Sequence, residues 1–194
     1  MRNALKLTTP TDREIVVVRE FDAPRELVWD SIFKPELLRR WFSGPPGWEM
    51  TTCEDDACTG GTYRRVWSDP NGLTMSQSGV HREFVPPERC VRTQVFESGG
   101  VPSGGEQLAT IVLTELRERT MLTMTFLFDS KETRDGTVPY LEKGMAAGFD
   151  RLDEILASAA ACISAVTRPR TSMPGIANMA RWSVAFASWP SSSM

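Results

Sequence analysis

The sequence of 194 residues predicts an α+β fold, an antiparallel sheet of about seven strands covered by one long C-terminal helix. Three observations predict it. Val138 to Ser158 is the only long segment with an unbroken helical period: Leu141, Met145, Gly148, Phe149, Leu152, Ile155 and Leu156 share one arc of the wheel, and Glu142, Lys143, Asp150, Asp153 and Glu154 fall outside it. Between Trp48 and Asp129 the chain instead reads as short β runs divided by turn signals. Within those runs, Leu122, Met124, Phe126 and Phe128 alternate with Thr123 and Thr125, and Tyr63, Arg65 and Trp67 alternate with Thr62 and Arg64. One sheet face is therefore apolar and requires a cover, which the helix provides.

Taken in order, residues 1–12 are polar and expected to be flexible. Arg13 to Phe21 is a β-branched run of strand length. Asp22 before Ala23-Pro24 suggests a helix with an aspartate N-cap, proline in its first turn and an apolar stripe of Leu27, Val28, Ile32 and Phe33. Lys34-Pro35 ends it, and a second short helix runs from Pro35 to Trp41. Trp41 and Trp48 flank a loop stiffened by Pro45-Pro46. The strands that follow are Glu49 to Glu54, Gly60 to Ser68, Leu73 to Val85, Arg89 to Glu97, Glu106 to Glu118 and Thr120 to Asp129. Gly144 and Gly148 inside the last helix suggest a close backbone approach or a cavity beside Met145 and Phe149.

Composition narrows the function classes. An apolar share of 41% is ample for a core. No run reaches the roughly 20 apolar residues of a membrane span and no apolar signal region opens the chain, so a cytoplasmic protein is expected. Four cysteines at irregular spacing and one histidine suit reduced thiols and argue against a disulfide framework, a zinc site or a Ser-His-Asp triad. A net charge of -3 without a cluster of Lys or Arg among aromatics is no footprint for nucleic acid. Neither a phosphate-binding glycine loop nor a dinucleotide fingerprint is present, and no cofactor is expected. Residues 158–194 form a compositionally distinct tail, with Arg168, Arg170 and Arg181 and no acid after Ser158. Its prolines and serines point to disorder, and Trp182, Phe186 and Trp189 could form one apolar helical stripe.

The order strand, two short helices, six-strand meander, long helix resembles the SRPBCC (START-like, helix-grip) superfamily, and within it the branch named after the C-terminal domain of the activator of heat-shock-protein-90 ATPase. The resemblance rests on Phe21 to Trp29 (FDAPRELVW), Leu38 to Gly47 (LRRWFSGPPG), Gly60 to Tyr63 (GGTY), Gly79 to Cys90 (GVHREFVPPERC) and Gly144 to Leu152, and it covers residues 13–157. It implies a helix-grip (START/Bet v-like) fold, a curved sheet gripping the C-terminal helix around a cavity for a small apolar or aromatic molecule. Trp41, Trp48, Tyr63, Arg65, Trp67, Met75, His81, Met124, Phe126, Met145 and Phe149 are the candidate lining residues.

Met75, Gln77, His81 and Glu83 share strand parity, and Arg65 with Glu83 suggests a cross-strand ion pair. His81, with Glu83 as its only same-face acid, lacks a partner close enough to orient it and is expected to be non-catalytic. The leading reading is a non-catalytic binding domain. The alternative is a polyketide cyclase or dehydratase-like enzyme using His81 with Tyr63 or Glu83. A co-chaperone role stands third, because the eukaryotic activators rely on an N-terminal domain and only about twelve residues precede the first strand here. No chaperone partner is expected, and a homodimer stays open.

Overall fold

The computed structural model describes residues 4–167. The strands are β1 (Lys6–Thr8), β2 (Glu14–Phe21), β3 (Glu49–Asp55), β4 (Thr62–Ser68), β5 (Thr74–Val85), β6 (Arg89–Ser98), β7 (Val101–Leu116) and β8 (Arg119–Leu127). The helices are α1 (Arg25–Phe33), α2 (Pro35–Trp41) and α3 (Lys131–Thr167). All eight strands form one antiparallel sheet in the order β1-β2-β8-β7-β6-β5-β4-β3. The first long strand thus pairs with the last, Glu14 opposite Leu127 and Phe21 opposite Thr120, and the meander wraps back on its start.

Alternation builds the core. β2 buries Ile15, Val17, Arg19 and Phe21, and β8 buries Leu122, Met124 and Phe126 on the same inward face. α1 adds Leu27, Val28, Ile32 and Phe33, the expected stripe. Its N-cap is Pro24, whose carbonyl accepts from the Leu27 and Val28 amides, and not Asp22 as the sequence suggested; proline's extended ψ of 149° already sets the chain for the first turn. Lys34 is extended before Pro35, as expected of a residue preceding proline, and this separates α1 from α2.

α3 is longer than its period suggested. It starts at Lys131 because the Ser130 hydroxyl accepts the Thr133 amide, a cap that lies outside the apolar stripe. Pro139 lies inside the helix. The helix also continues past Ser158 to Thr167 and adds Ala159 to the core, so the tail's first ten residues are helical. The expectations for residues 168–194 lie outside the described residues. The flexible N-terminus is likewise corrected at Lys6–Thr8, which pairs with Val16 to Val18 while Leu5 and Leu7 pack on the core; three residues are too few to carry a visible period.

Phe149, Leu152, Leu156 and Ala159 are buried, and Leu141, Met145 and Ile155 are partly so. Gly148 lies against the Trp41 ring at ordinary contact distance and Gly144 faces open space, so neither is dictated by a close approach. Buried Arg19 fastens α3 to β2 through Asp150 at 3.0 Å and Asp153, and Arg151 donates to the Trp41 carbonyl at 2.9 Å. Among the described residues no helix is long and apolar enough to cross a membrane.

Candidate functional site

Beyond the apolar half of the inward face, the strands from β4 to β7 carry a buried polar array. Tyr63 and Arg65 on β4, Gln77 and His81 on β5, Arg92 and Gln94 on β6 and Gln107 on β7 are each at most 3% exposed. Register brings them together, with Arg65 opposite Gln77, His81 opposite Arg92 and Gln94 opposite Gln107. Gly79 is needed at its position because a Cβ there would stand 1.9 Å from the Thr93 carbonyl oxygen and 3.0 Å from the Tyr63 ring. The ring is held by its hydroxyl, which donates to that carbonyl at 3.0 Å. Both guanidiniums lie over the same ring, Arg65 at 4.9 Å and Arg92 at 4.5 Å from its centroid.

The centre of the array is Asp55, the last residue of β3, whose side chain is 1% exposed. Its carboxylate accepts from Arg65 Nη2 at 3.3 Å and lies 2.8 Å from His81 Nε2. Arg65 Nη1 donates to Gln77 Oε1 at 3.0 Å. A carboxylate only accepts, so Nε2 carries the proton, and in the neutral ring Nδ1 is left to accept from the Cys90 thiol, 3.3 Å away. The result is a Cys-His-Asp chain that no spacing in the sequence announces.

The environment decides what this chain can do. Burial pushes the Cys90 thiol up to about 11, against a smaller downward pull from Arg92. A thiol near 11 is a thiolate in only about one molecule per thousand at pH 8. His81 has no exposed surface and its ring packs on Phe33, Phe84 and Tyr63. Iodoacetamide at pH 8 should therefore label exposed Cys58 and spare Cys90 in the folded protein, as read by peptide mass mapping; rapid labelling of Cys90 would identify an activated nucleophile instead.

Charge in the array does not balance. Two guanidiniums face one carboxylate, and Asp55 serves Arg65. Burial draws Arg65 down to about 10, with the Arg92 charge the next contribution. Arg92 Nε and Nη1, Arg65 Nε, Gln94 Oε1 and Gln107 Oε1 are buried without a hydrogen-bond partner among the described residues.

The residues expected to line a cavity fall into three groups. Trp41, Trp67, Met124, Phe126 and Phe149 are core filling, each at most 9% exposed, and the two indole N–H groups are bonded to the Ser31 and Phe42 carbonyls. Trp48, Met75 and Met145 are partly buried against that core. Tyr63, Arg65 and His81 belong to the polar array. The expected Arg65–Glu83 pair is absent: Glu83 instead binds Arg89 at 3.1 Å at the surface. A register shift between His81 and Glu83 breaks their shared parity, which the sequence does not reveal. Sequence reasoning does not single out Asp55, because it follows Glu54 and precedes Asp56 in a run that reads as a solvated turn.

Two shallow hollows among the described residues lie elsewhere. One is an open groove of about 470 Å³ on the outward side of β4 to β6, bordered by Glu54, Thr62, Arg64, Ser78 and Glu106. The other, of about 230 Å³, lies between α2 and α3 beside Arg40, Arg151 and Glu154.

Comparison with known proteins agrees with this architecture. The family model described as "Activator of Hsp90 ATPase homolog 1-like protein" matches residues 22–157. A crystal structure of a protein from Rhodobacter sphaeroides is similar at 27% identity and a TM-score of 0.72, over 79% of this chain and 98% of that one. A solution structure from Arthrobacter aurescens is similar at 25% identity and a TM-score of 0.68, over 79% and 91% of the two chains. A protein from Nitrosomonas europaea, at 24% identity, shares the fold with a TM-score of 0.67, over 79% and 99%. No curated protein matches the chain.

Proposed function

We propose that this chain, which belongs to the activator of Hsp90 ATPase homolog 1-like family, is a non-catalytic binding protein for a small apolar or aromatic molecule, taken up between the sheet and the first half of α3. The observation that supports it is the gradient of burial along that helix. Phe149, Leu152 and Leu156 are locked in the core, whereas Val138, Leu141 and Met145 carry the same stripe onward only partly buried. Tyr140 beside them is 82% exposed. Trp48 and Met75 are partly buried in the same way. Soft and aromatic side chains that are partly covered are the kind that adapt to an apolar guest.

The test uses the neutral dye N-phenyl-1-naphthylamine. Its fluorescence should rise saturably on titration with the full chain, and Leu141→Glu, at a partly exposed position, should weaken binding about tenfold or more by placing a charge on the stripe. Absence of saturable binding, or binding indifferent to Leu141→Glu, would defeat the reading.

One observation favours a second reading, an enzyme of the polyketide cyclase-like kind. His81 does have an orienting carboxylate, 2.8 Å away, which is what a general base requires. Against it stand the ring's zero exposure and the occupation of both nitrogens. His81→Gln should leave dye affinity within about 1 kcal/mol of wild type, the scale of one hydrogen bond. Turnover of an aromatic substrate that falls about a hundredfold in this variant would establish the enzyme.

A further inference from the structure

We infer that the molecule bound by this protein is an organic acid whose anionic group is held by Arg92 on the inward face of β6. The inference rests on the binding reading above and adds the chemistry of the ligand. Arg92 is 3% exposed, yet it has no carboxylate partner among the described residues. Its guanidinium contact is the face of Tyr63, 4.5 Å from the ring centroid, and two of its nitrogens, Nε and Nη1, have no acceptor among the described residues. Each is a charged N–H donor that a carboxylate or sulfonate oxygen satisfies with a charge-assisted hydrogen bond.

The neighbouring groups do not offer to complete it. Asp55 is engaged by Arg65 and His81. Cys90 is held protonated by burial. The Tyr63 hydroxyl is committed to the Thr93 carbonyl. The Gln94 and Gln107 amide oxygens, opposite each other one same-face row along, are unpaired as well and can accept a hydroxyl or N–H of the same guest. A buried cation without a partner is costly in an apolar surround, and a second guanidinium on the same aromatic ring raises that cost. An acid of the guest removes both penalties. Its apolar body would lie on the same face toward Met75, which shares the inward parity of Gln77 on β5.

A matched pair of dyes tests this. 8-Anilinonaphthalene-1-sulfonate is N-phenyl-1-naphthylamine with one added sulfonate. The 194-residue chain should bind the sulfonate about tenfold or more tightly than the neutral dye. Arg92→Met should remove the preference for the sulfonate over the neutral dye, and Arg92→Lys should keep part of it. Equal affinity of the wild type for both dyes would overturn the acid assignment and leave the binding reading standing. Failure of both dyes to bind would overturn the two together. Should Arg92→Met not fold, the wild-type ratio and its reduction in Arg92→Lys decide between the outcomes, and a ratio indifferent to Arg92→Lys counts against the site. Displacement of the sulfonate dye by millimolar inorganic sulfate would show a free-anion site and would also overturn the assignment to an organic acid.

Discussion

Phe149→Ala is expected to destabilise the protein by about 3–5 kcal/mol, the range for emptying an aromatic site in a packed core. Phe149 is 2% exposed and packs on both β2 and α2. Its ring stands edge-on to Phe21 of β2 at 5.6 Å and lies 5.8 Å from the ring of Trp41 in α2. Neither neighbour can close the gap. Phe21 is fixed in the β2–β8 ladder, and the Trp41 indole is tied to the Ser31 carbonyl at 2.8 Å. The loss is read from the midpoint of a urea melt at unchanged slope. A loss well under 1 kcal/mol would mean that Phe149 borders a space already open, and would move the proposed binding site from the first half of α3 to the second.

Asp55→Ala should cost about 3–5 kcal/mol as well, for a different reason. Removing the carboxylate strands the Arg65 guanidinium and deprives His81 of its hydrogen bond, both in positions at most 3% exposed. The distinguishing measurement is a double-mutant cycle. If the penalty is an uncompensated charge, Arg65→Met should cost less in the Asp55→Ala background than in wild type, and the pair should show a coupling of about 1 kcal/mol or more. Additive losses would show that Asp55 matters for packing alone.

Cys90 adds a pH dependence to the same array. Its thiol is raised from an ordinary 9.0 to about 11 in the folded state. The associated stability is therefore full below pH 9 and is lost as the pH rises toward 11, because the unfolded chain sheds this proton first.

The β-branched run of β2, the period-two runs of β4 and β8, and the Lys34-Pro35 break were legible because each is a local pattern repeated at the spacing of its own element. The apolar stripe of α3 was equally legible, but its ends were not. A single serine cap at Ser130 starts the helix seven residues before Val138, and helix continues where the charge pattern stops, since alanine-rich sequence propagates without an amphipathic signal. Among the candidate lining residues, composition picked side chains that do face inward. It could not separate Trp41, Trp67 and Phe149, which fill the core, from Met75 and Met145, which are partly covered, because both roles select the same residue types.

The sequence by itself therefore determined the class of fold, the family, the order of the longer elements and the inward face of β2, β4, β8, α1 and α3, since these follow from periodicity and from short motifs carried within one element. Only the tertiary structure decided which polar groups meet. Asp55 reaches His81 across 26 residues and Arg65 across 10, through two strand registers, and one register shift sends Glu83 away from His81 to Arg89. Parity assigns a residue to a face. Partners on that face are set by where neighbouring strands lie along one another, and a single bulged residue changes that alignment while leaving the local pattern on either side intact.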